Sequence, residues 1–417
     1  MLRRRFLGLL ALRWFQVGLQ VPVLILLLQA RGLDLTSVGV VFAVYSLTTA
    51  LFELPTGGLA DVLGRRQVLI TASLVLMVES LVFALGEGFA VLVSAAALGG
   101  LGRALDSGPL EAWFVDSARQ GAPELDLKRD LAHAKAVEAT AIGIGALCGG
   151  GLVALVPPPA RGATVIDLSV PFLVSAGICL VIVAAIVAWV HETERPERPS
   201  LSGVVHGVPG TVWSGLRLAV GHGPLRRITI LMASMGVALA VVELLAPASF
   251  ARLLGGEAEA AGPYAVLLTA GFFGSAAGST QAVVAVRLLQ SPSRAIMAAR
   301  LLGAFALLGV ATSSVAFAAV ALVGFYALNG IARPLISDII HRSVPSTERA
   351  TVLSVQSLTL QLSGVVAALV IGPVAQHVSL GVGFAIGAAV LALGATACIS
   401  MPTPTAQVTA PEPSRAS

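Results

Sequence analysis

The sequence has few charged residues and few of the side chains that most enzymes use. Only 12% of its 417 residues are Asp, Glu, Lys or Arg, against about 25% in an average soluble domain. Aromatic residues make up 5% of the chain, whereas hydrophobic residues make up 56%. Because so little polar surface cannot cover a globule in water, we expect most of the chain to lie in a lipid bilayer.

The scarcity of Cys and His excludes several kinds of site. Cys148, Cys179 and Cys398 all lie in apolar runs, without the spacing of a metal site or of a disulfide framework. The six His are scattered, and neither a nucleophile elbow nor a phosphate-binding Gly-x-x-x-x-Gly-Lys-Ser/Thr motif occurs. The net charge of +4 is small and dispersed, which does not favour nucleic-acid binding. The sequence therefore predicts no enzyme, ATP-driven pump, metal or cofactor.

Apolar runs are what the chain has in abundance, and they fall into two groups of six. Each run approaches the roughly 20 residues that a helix needs to cross a membrane. The predicted spans are 6–29, 36–58, 68–86, 89–113, 134–156, 165–190, 228–250, 264–289, 296–314, 316–337, 352–372 and 379–400. The segments around Pro109 (GPLEAWFVD) and Pro334 (RPLISDIIH) also resemble each other. Internal repeats of this kind are typical of transporter folds.

This pattern predicts an all-α membrane protein with twelve transmembrane helices in two pseudo-symmetric halves. Its parts are an N-terminal six-helix bundle (1–190), a linker (191–227), a C-terminal six-helix bundle (228–400) and a disordered tail (401–417). An amphipathic piece is expected within the linker, around residues 213–220.

The distribution of Lys and Arg predicts the orientation. With the N-terminus inside, the inside segments hold 18 of these residues and the outside loops hold 3. Because inside loops of membrane proteins are enriched in Lys and Arg, both termini, the linker and the tail are predicted to be cytoplasmic. The expected location is the plasma membrane, or cell inner membrane, with multiple passes.

A turn with the sequence GGLADVLGRR links the second and third spans. It resembles the loop 2–3 signature of the major facilitator superfamily, Gly-x-x-x-Asp-(Arg/Lys)-x-Gly-Arg-(Arg/Lys). The matching residues are Gly57, Asp61, Gly64, Arg65 and Arg66, with Val62 in place of a basic residue. Together with the spans, this resemblance covers nearly the whole chain. The two glycines permit close helix approach and a tight turn.

The resemblance implies a gate at this turn. Asp61 would accept hydrogen bonds from the start of the eleventh span, near 349–353, where a helix N-terminus attracts negative charge. Arg65 would pair with Asp116 at the end of the fourth span. Such a latch would hold the halves together in the outward-open state. The alternative is that Arg65 and Arg66 merely follow the positive-inside rule.

Three further stretches resemble drug-efflux members of this family. FELPTGGLAD and GRALDSGPLEAWFVD are similar to their second and fourth spans. GIGALCGGGL is similar to the antiporter signature Gly-x-x-x-Gly-Pro-x-x-Gly-Gly, with Gly145, Gly149 and Gly150 matching and Ala146 in place of Pro. The resemblance implies a secondary active transporter that exports amphipathic drugs or natural products by proton antiport with alternating access, and hence multidrug resistance.

Charged residues inside the spans are the candidates for proton coupling, because a charge at mid-bilayer is costly and is kept for function. Arg103 and Asp106 are neighbours on one helix face; Arg103 resembles the family's span-four arginine, and the alternative is a self-neutralising pair. Glu53 lies near the predicted gate and is either a proton site or a structural acid. Glu243 is the clear acid of the second half, for a proton or a cationic substrate. Glu79 has no expected role beyond packing or a hydrogen bond.

Polar and aromatic residues on helices that line the cavity in this family are the candidates for substrate binding. They are Arg13, Tyr45, Trp113, Asn329, Gln356 and Gln361, and ordinary packing is the alternative for each. The expected partners are a small-molecule substrate, protons and the lipid bilayer, with the protein acting as a monomer.

Two alternative functions remain open at this point. A proton-coupled or exchange transporter for a metabolite, such as a sugar or organic anion, is one; Arg13, Arg103 and Arg300 would suit an anion. A receptor or membrane scaffold without transport is the other, although no appended soluble domain is evident in the sequence.

Overall fold

A computed structural model describes residues 1–121, 126–157, 164–192, 223–344 and 349–399, and the single positions 217 and 221. Within these residues the chain is helical and contains no strand. The amphipathic piece predicted around residues 213–220, most of the linker and the predicted tail lie outside the described residues.

Fourteen α-helices occur in the described part of the chain. They are α1 (Leu2–Gln20), α2 (Leu24–Ala30), α3 (Leu35–Leu63), α4 (Arg65–Leu85), α5 (Phe89–Asp106), α6 (Pro109–Gly121), α7 (Leu127–Leu155), α8 (Val170–Trp189), α9 (Gly223–Leu254), α10 (Glu257–Leu289), α11 (Pro292–Val310), α12 (Val315–Ser343), α13 (Arg349–His377) and α14 (Leu380–Ala395).

These helices form twelve candidate membrane spans within the described residues, which confirms the predicted number. The first span consists of α1 and α2, and the fourth consists of α5 and α6; every other span contains one α-helix, with a short 3-10 turn added at the start of the sixth and at the end of the twelfth. Several helices extend past the predicted spans, because polar residues at the membrane surface can continue a helix after the apolar run has ended.

The two broken spans have local causes in the sequence. Pro22 interrupts the first span between α1 and α2, since proline cannot donate the backbone hydrogen bond of a helix interior. The fourth span breaks at Ser107 and Gly108, where Gly108 has φ +96°, and Pro109 begins the next helix. Pro334, by contrast, lies inside the continuous helix α12. The sequence similarity around Pro109 and Pro334 therefore does not extend to the helix break.

The glycines of the antiporter-like stretch allow close packing of α7. A methyl group added at Gly145 would overlap the carbonyl of Phe15, and one at Gly149 would overlap the carbonyl of Leu19. Gly150 faces α10 instead, where an added methyl group would meet Ala265. The same short stretch thus brings α7 against α1 within the first half and against α10 of the second half.

The two halves meet mainly through two helix pairs, α3 with α13 and α7 with α10. We call the end of the bundle that holds residue 1 and the turn at Gly64 the linker end, and the opposite end the far end. At the far end, the backbone N–H of Leu35 donates to Gln376 Oε1 at 3.2 Å. An added methyl group at Gly372 would lie 2.6 Å from the Leu35 carbonyl oxygen, which shows how closely α3 and α13 approach there.

Candidate functional site

A cavity lies between the two halves and has two adjoining compartments. The inner compartment, about 370 Å³, extends toward the far end, where it reaches Leu28. The linker-end compartment, about 520 Å³, reaches Thr49 and Ser357. Phe42 and Tyr45 line both. The site therefore lies near the middle of the bundle, where transporters of this architecture bind substrates.

Aromatic rings form much of the inner compartment. The sequence has three Tyr, and all three line it, together with Phe42, Phe83 and Phe272. The ring centroids of Phe272 and Tyr326 lie 6.0 Å apart in an edge-to-face arrangement. Because aromatic faces stack well on flat apolar molecules, this wall suits a substrate with an aromatic body.

Asp106 is held by two arginines. Arg13 of α1 forms an ion pair with its carboxylate and donates to its backbone carbonyl at 2.6 Å. Arg103 Nη1 lies 4.0 Å from Asp106 Oδ2, and its guanidinium also sits 4.9 Å from the centre of the Trp14 ring. The predicted proximity of Arg103 and Asp106 is present, but the closer partner of Asp106 is Arg13, which the sequence analysis had assigned to substrate binding.

Glu243 of α9 faces both compartments of the cavity. Its side chain is exposed there, and it forms no hydrogen bond or ion pair with any described residue. An acid that lines an apolar cavity without a protein partner is available to a cation or a proton.

Glu53 joins the two halves. Its Oε2 accepts a hydrogen bond from Gln361 Nε2 of α13 at 2.6 Å, and both residues line the linker-end compartment. Arg333 lines the same compartment, although the sequence analysis had not singled it out.

The described residues of the turn between α3 and α4 show a glycine-specific backbone conformation and an ion pair with α6. Gly64 has φ +99°, a conformation that favours glycine. Arg65 Nη1 lies 2.8 Å from Asp116 Oδ2, as the resemblance implied. The surroundings of Gly57 and Asp61, and the side chains at the start of α13, lie outside the described residues. The role of this turn as a latch between the halves therefore stays a prediction.

The N-terminus of α4 is capped by a residue that is distant in the sequence. Glu192, just after the sixth span, accepts hydrogen bonds from the backbone N–H groups of Arg65 and Arg66. Arg66 also donates from Nη2 to the carbonyl of Val187 at 2.9 Å. A carboxylate is favourable at a helix N-terminus, but Glu192 is 127 residues away from Arg65, so only the tertiary structure could reveal the pair.

Three predicted binding residues lie away from the cavity. Trp113 is 4% exposed and donates to the carbonyl of His191 at 3.1 Å, because the break before α6 turns it off the face that carries Arg103. Gln356 is buried and donates to Thr229 at 3.1 Å. Asn329 accepts from Arg300 at 3.1 Å. None of these three residues lines either compartment, whereas Tyr45 and Gln361 do. Their contacts are those of packing and hydrogen bonding within each half, and substrate binding by the predicted residues stays a prediction.

No group of His, Cys, Asp or Glu among the described residues could hold a metal ion. The cavity can therefore be treated chemically as an aromatic chamber with two arginines and four carboxylates on its walls, namely Arg103, Arg333, Glu53, Glu79, Asp106 and Glu243.

Comparisons with known proteins agree with this architecture. The family described as the Major Facilitator Superfamily matches residues 6–368. The quinolone resistance protein NorA of Staphylococcus aureus is 31% identical over 85 residues, which are 20% of this chain and 22% of that protein.

Two solved transporters share the fold. A nucleoside transporter, NupG, superposes with a TM-score of 0.74 at 12% identity, over 96% of this chain and 98% of its own. A POT family transporter in complex with a thioalcohol-conjugated peptide gives a TM-score of 0.71 at 11% identity, over 95% of each chain. At such low identity these two likenesses concern the fold alone.

Proposed function

Because the chain belongs to the major facilitator superfamily, it is a membrane transporter rather than an enzyme, and we propose that it exports amphipathic small molecules by proton antiport with alternating access. The proposed substrates are drugs or natural products that combine an aromatic body with a positive charge. Among known proteins, the partial similarity to a quinolone resistance protein supports export.

The observation that carries this proposal is the composition of the cavity wall. Six aromatic rings surround the inner compartment, and a flat apolar body would stack against them. Glu243 faces that space and forms no ion pair with any described residue, so a positive group on the substrate would supply a partner for its carboxylate. Burying a cation beside an unpaired carboxylate is far less costly than burying it alone.

The predicted orientation places the open end of the cavity on the side from which an exporter takes up its substrate. With both termini in the cytoplasm, the tightly packed far end faces the outside, and the linker-end compartment faces the cytoplasm. In this inward-facing arrangement a substrate enters from the cytoplasm or the inner leaflet. Closure of the linker end would then bring Asp61 toward the start of α13, as the family resemblance implies.

One observation favours a second function. Arg103 and Arg333 line the linker-end compartment beside Glu53 and Glu243, so a metabolite that carries both charges, or an anion, could also be held there. On this alternative the protein is a proton-coupled or exchange transporter for a metabolite.

Transport by the purified protein in proteoliposomes tests the two functions. We expect an imposed pH gradient to drive uptake of the aromatic cation ethidium, and Glu243→Gln to abolish that uptake. The matched control is Leu362→Ala, a substitution at an exposed apolar position of α13. Gradient-independent counterflow of a labelled nucleoside or organic anion, together with no transport of ethidium, would replace the first function by the second.

A further inference from the structure

Glu79, in the middle of α4, is the buried acid for which the sequence analysis had no function. Its side chain is 5% exposed and borders the inner compartment. Within the described residues, no Lys, Arg or His pairs with its carboxylate, which accepts from the hydroxyl of Ser80 at 3.0 Å and also faces the amide of Gln20. Asp106, which lines the same compartment, is held by Arg13 and Arg103.

This difference separates the two acids chemically. A buried carboxylate with a paired arginine stays ionised, because protonation would leave the arginine unpaired. A buried carboxylate without a cation carries the full cost of desolvation, and the neutral acid avoids that cost. Glu79 is therefore suited to gain and lose a proton.

A chain of hydrogen bonds connects Glu79 to α1. Gln20 Nε2 donates to Ser80 Oγ and to Ser175 Oγ, at 2.7 Å each. Gln16 Nε2 donates to Ser175 Oγ at 2.6 Å. The hydroxyls of Ser80 and Ser175 lie 3.3 Å apart. The network therefore joins α1, α4 and α8, and its two glutamines also line the inner compartment.

Ser80 has one hydroxyl hydrogen and two acceptors for it. Its Oγ lies 2.8 Å from the carbonyl oxygen of Leu76 and 3.0 Å from Glu79 Oε2. When Glu79 is ionised, Ser80 donates to Glu79. When Glu79 is protonated, the acid donates to Ser80 Oγ, and the Ser80 hydrogen turns to the Leu76 carbonyl. A hydroxyl rotation thus accommodates both protonation states without movement of the heavy atoms.

The remaining groups that face Glu79 form no ion pair with its carboxylate. From α3, the ring of Tyr45 lies near the carboxylate, because both border Gly99 of α5. A methyl group added to Gly99 would lie 3.3 Å from Glu79 Oε1 and 3.3 Å from the Tyr45 ring. From α8, the thiol of Cys179 lies within electrostatic range. From α5, Arg103 and Asp106 line the compartment but are paired with each other and with α1.

Among the described residues, the other elements that pack against α4 place their charges away from Glu79. Helix α6 meets α4 at the linker end, where Arg65 pairs with Asp116. The short turn Asp167–Ser169 meets α4 at the far end. Across the cavity, α9 contributes Glu243, which lines the same compartment.

We propose that Glu79 is a proton-binding site of the inner compartment, and that the Gln20–Ser80–Ser175–Gln16 network holds its carboxyl group in place in both protonation states. The carboxylate takes one proton from cavity water when the compartment is open to the outside, and returns that proton to water when the compartment is open to the cytoplasm. Only this use of the proton in transport rests on the proposed function; the binding of the proton to Glu79 does not.

Infrared difference spectroscopy of the purified protein tests the site itself. A pH change across the range from roughly 5 to 9, which brackets the ionisation of perturbed carboxyl groups, should produce a protonated-carboxyl band in the wild type. We expect this band to be absent in Glu79→Gln and displaced in Glu79→Asp. Glutamine matches the shape of the neutral acid, so the variant should fold if the neutral form is compatible with the structure.

Ser73→Ala is the matched control, since Ser73 is a buried serine of the same helix that donates to Leu69 and stands outside the network. It should leave the band unchanged, whereas Ser80→Ala should keep the band but alter its frequency. Identical difference spectra for the wild type and Glu79→Gln would overturn the proposal, as would an identical band in Glu79→Asp if the Gln variant failed to fold.

Transport separates this inference from the proposed function. In proteoliposomes, Glu79→Gln should lose gradient-driven ethidium uptake but retain ethidium exchange without a gradient, because the neutral mimic still binds substrate. If the wild type shows no proton-driven transport although the Glu79 band is present, the proposed coupling is wrong and the proton site stands. If gradient-driven uptake is unchanged in Glu79→Gln, Glu79 has no part in coupling.

Discussion

At the scale of single residues, the four acids of the cavity differ in the partners that their carboxylates have, and position in the sequence does not reveal this difference. Asp106, Glu53, Glu79 and Glu243 all lie within predicted spans. Asp106 forms ion pairs with arginines, Glu53 accepts a hydrogen bond from the amide of Gln361, and Glu79 accepts one from a serine hydroxyl. Because the energetic cost of a buried charge depends on its partner, these four acids are not equivalent in function.

The Arg13–Asp106 pair gives a prediction at this scale. Arg13→Ala should destabilise the protein by about 3–5 kcal/mol, because removal of one partner leaves a buried charge uncompensated. Both side chains are about one-tenth exposed, at 11% and 12%. Thermal unfolding in detergent measures the effect.

The double variant Arg13→Met with Asp106→Asn is the control for this prediction. It removes both charges and should recover part of the lost stability. A single variant as stable as the wild type would show that Arg103 alone neutralises Asp106.

At the scale of elements, the glycines of α7 determine how closely three helices approach. Gly145 and Gly149 lie against the backbone of α1, and Gly150 lies against α10. The sequence analysis had associated these residues with antiport through a resemblance. Their geometry adds a packing function, since a side chain at any of them would meet a neighbouring helix.

A pair of alanine substitutions on α7 tests this packing. Gly145→Ala should destabilise the protein by about 1–3 kcal/mol, the usual cost of overpacking. Gly151→Ala is the matched control, because nothing lies within 4 Å of a methyl group added there. Melting temperatures measured side by side should fall only for the first variant, and equal melting temperatures would contradict close packing of α1 and α7.

At the scale of the whole molecule, the contacts between halves are unevenly placed. The far end is closed by close approach of α3 to α13 and of α7 to α10. Toward the linker end, the Glu53–Gln361 hydrogen bond lies beside an open compartment. A transporter that alternates between two states would exchange these contacts, and each contact formed in one state alone biases the equilibrium.

Gln361→Ala should therefore shift the population away from the described state. The loss of a hydrogen bond to a charged group is worth about 1.5–3 kcal/mol, which corresponds to roughly 10- to 100-fold in the equilibrium. Distances between spin labels on the linker ends of the two halves would measure the shift. Leu362→Ala, next along the same helix, should leave the distances unchanged, and an unchanged distribution in Gln361→Ala would mean that the bond does not select the state.

Features of the site could be predicted from the sequence where the residues involved belong to one short motif, and not where partners lie far apart in the chain. The turn at Gly64 and the contact of Arg65 with Asp116 followed from a short motif. The partners of Asp106, Glu53 and Glu192 did not, because Arg13, Gln361 and Arg65 are 93, 308 and 127 residues away from them. Trp113 does not line the cavity, for a local reason: the break at Gly108 changes the direction in which the residues after it face.

The sequence by itself determined the membrane class, the number of spans and the family resemblance, because apolar run length and short turn motifs are local properties of the chain. Tertiary structure decided which polar residues share the cavity, which acids have partners, and that Glu79 belongs to a hydrogen-bond network reaching α1. Those relations depend on how helices rotate and approach one another, and the close contacts at Gly145, Gly149 and Gly372 fix that packing only once the helices are assembled.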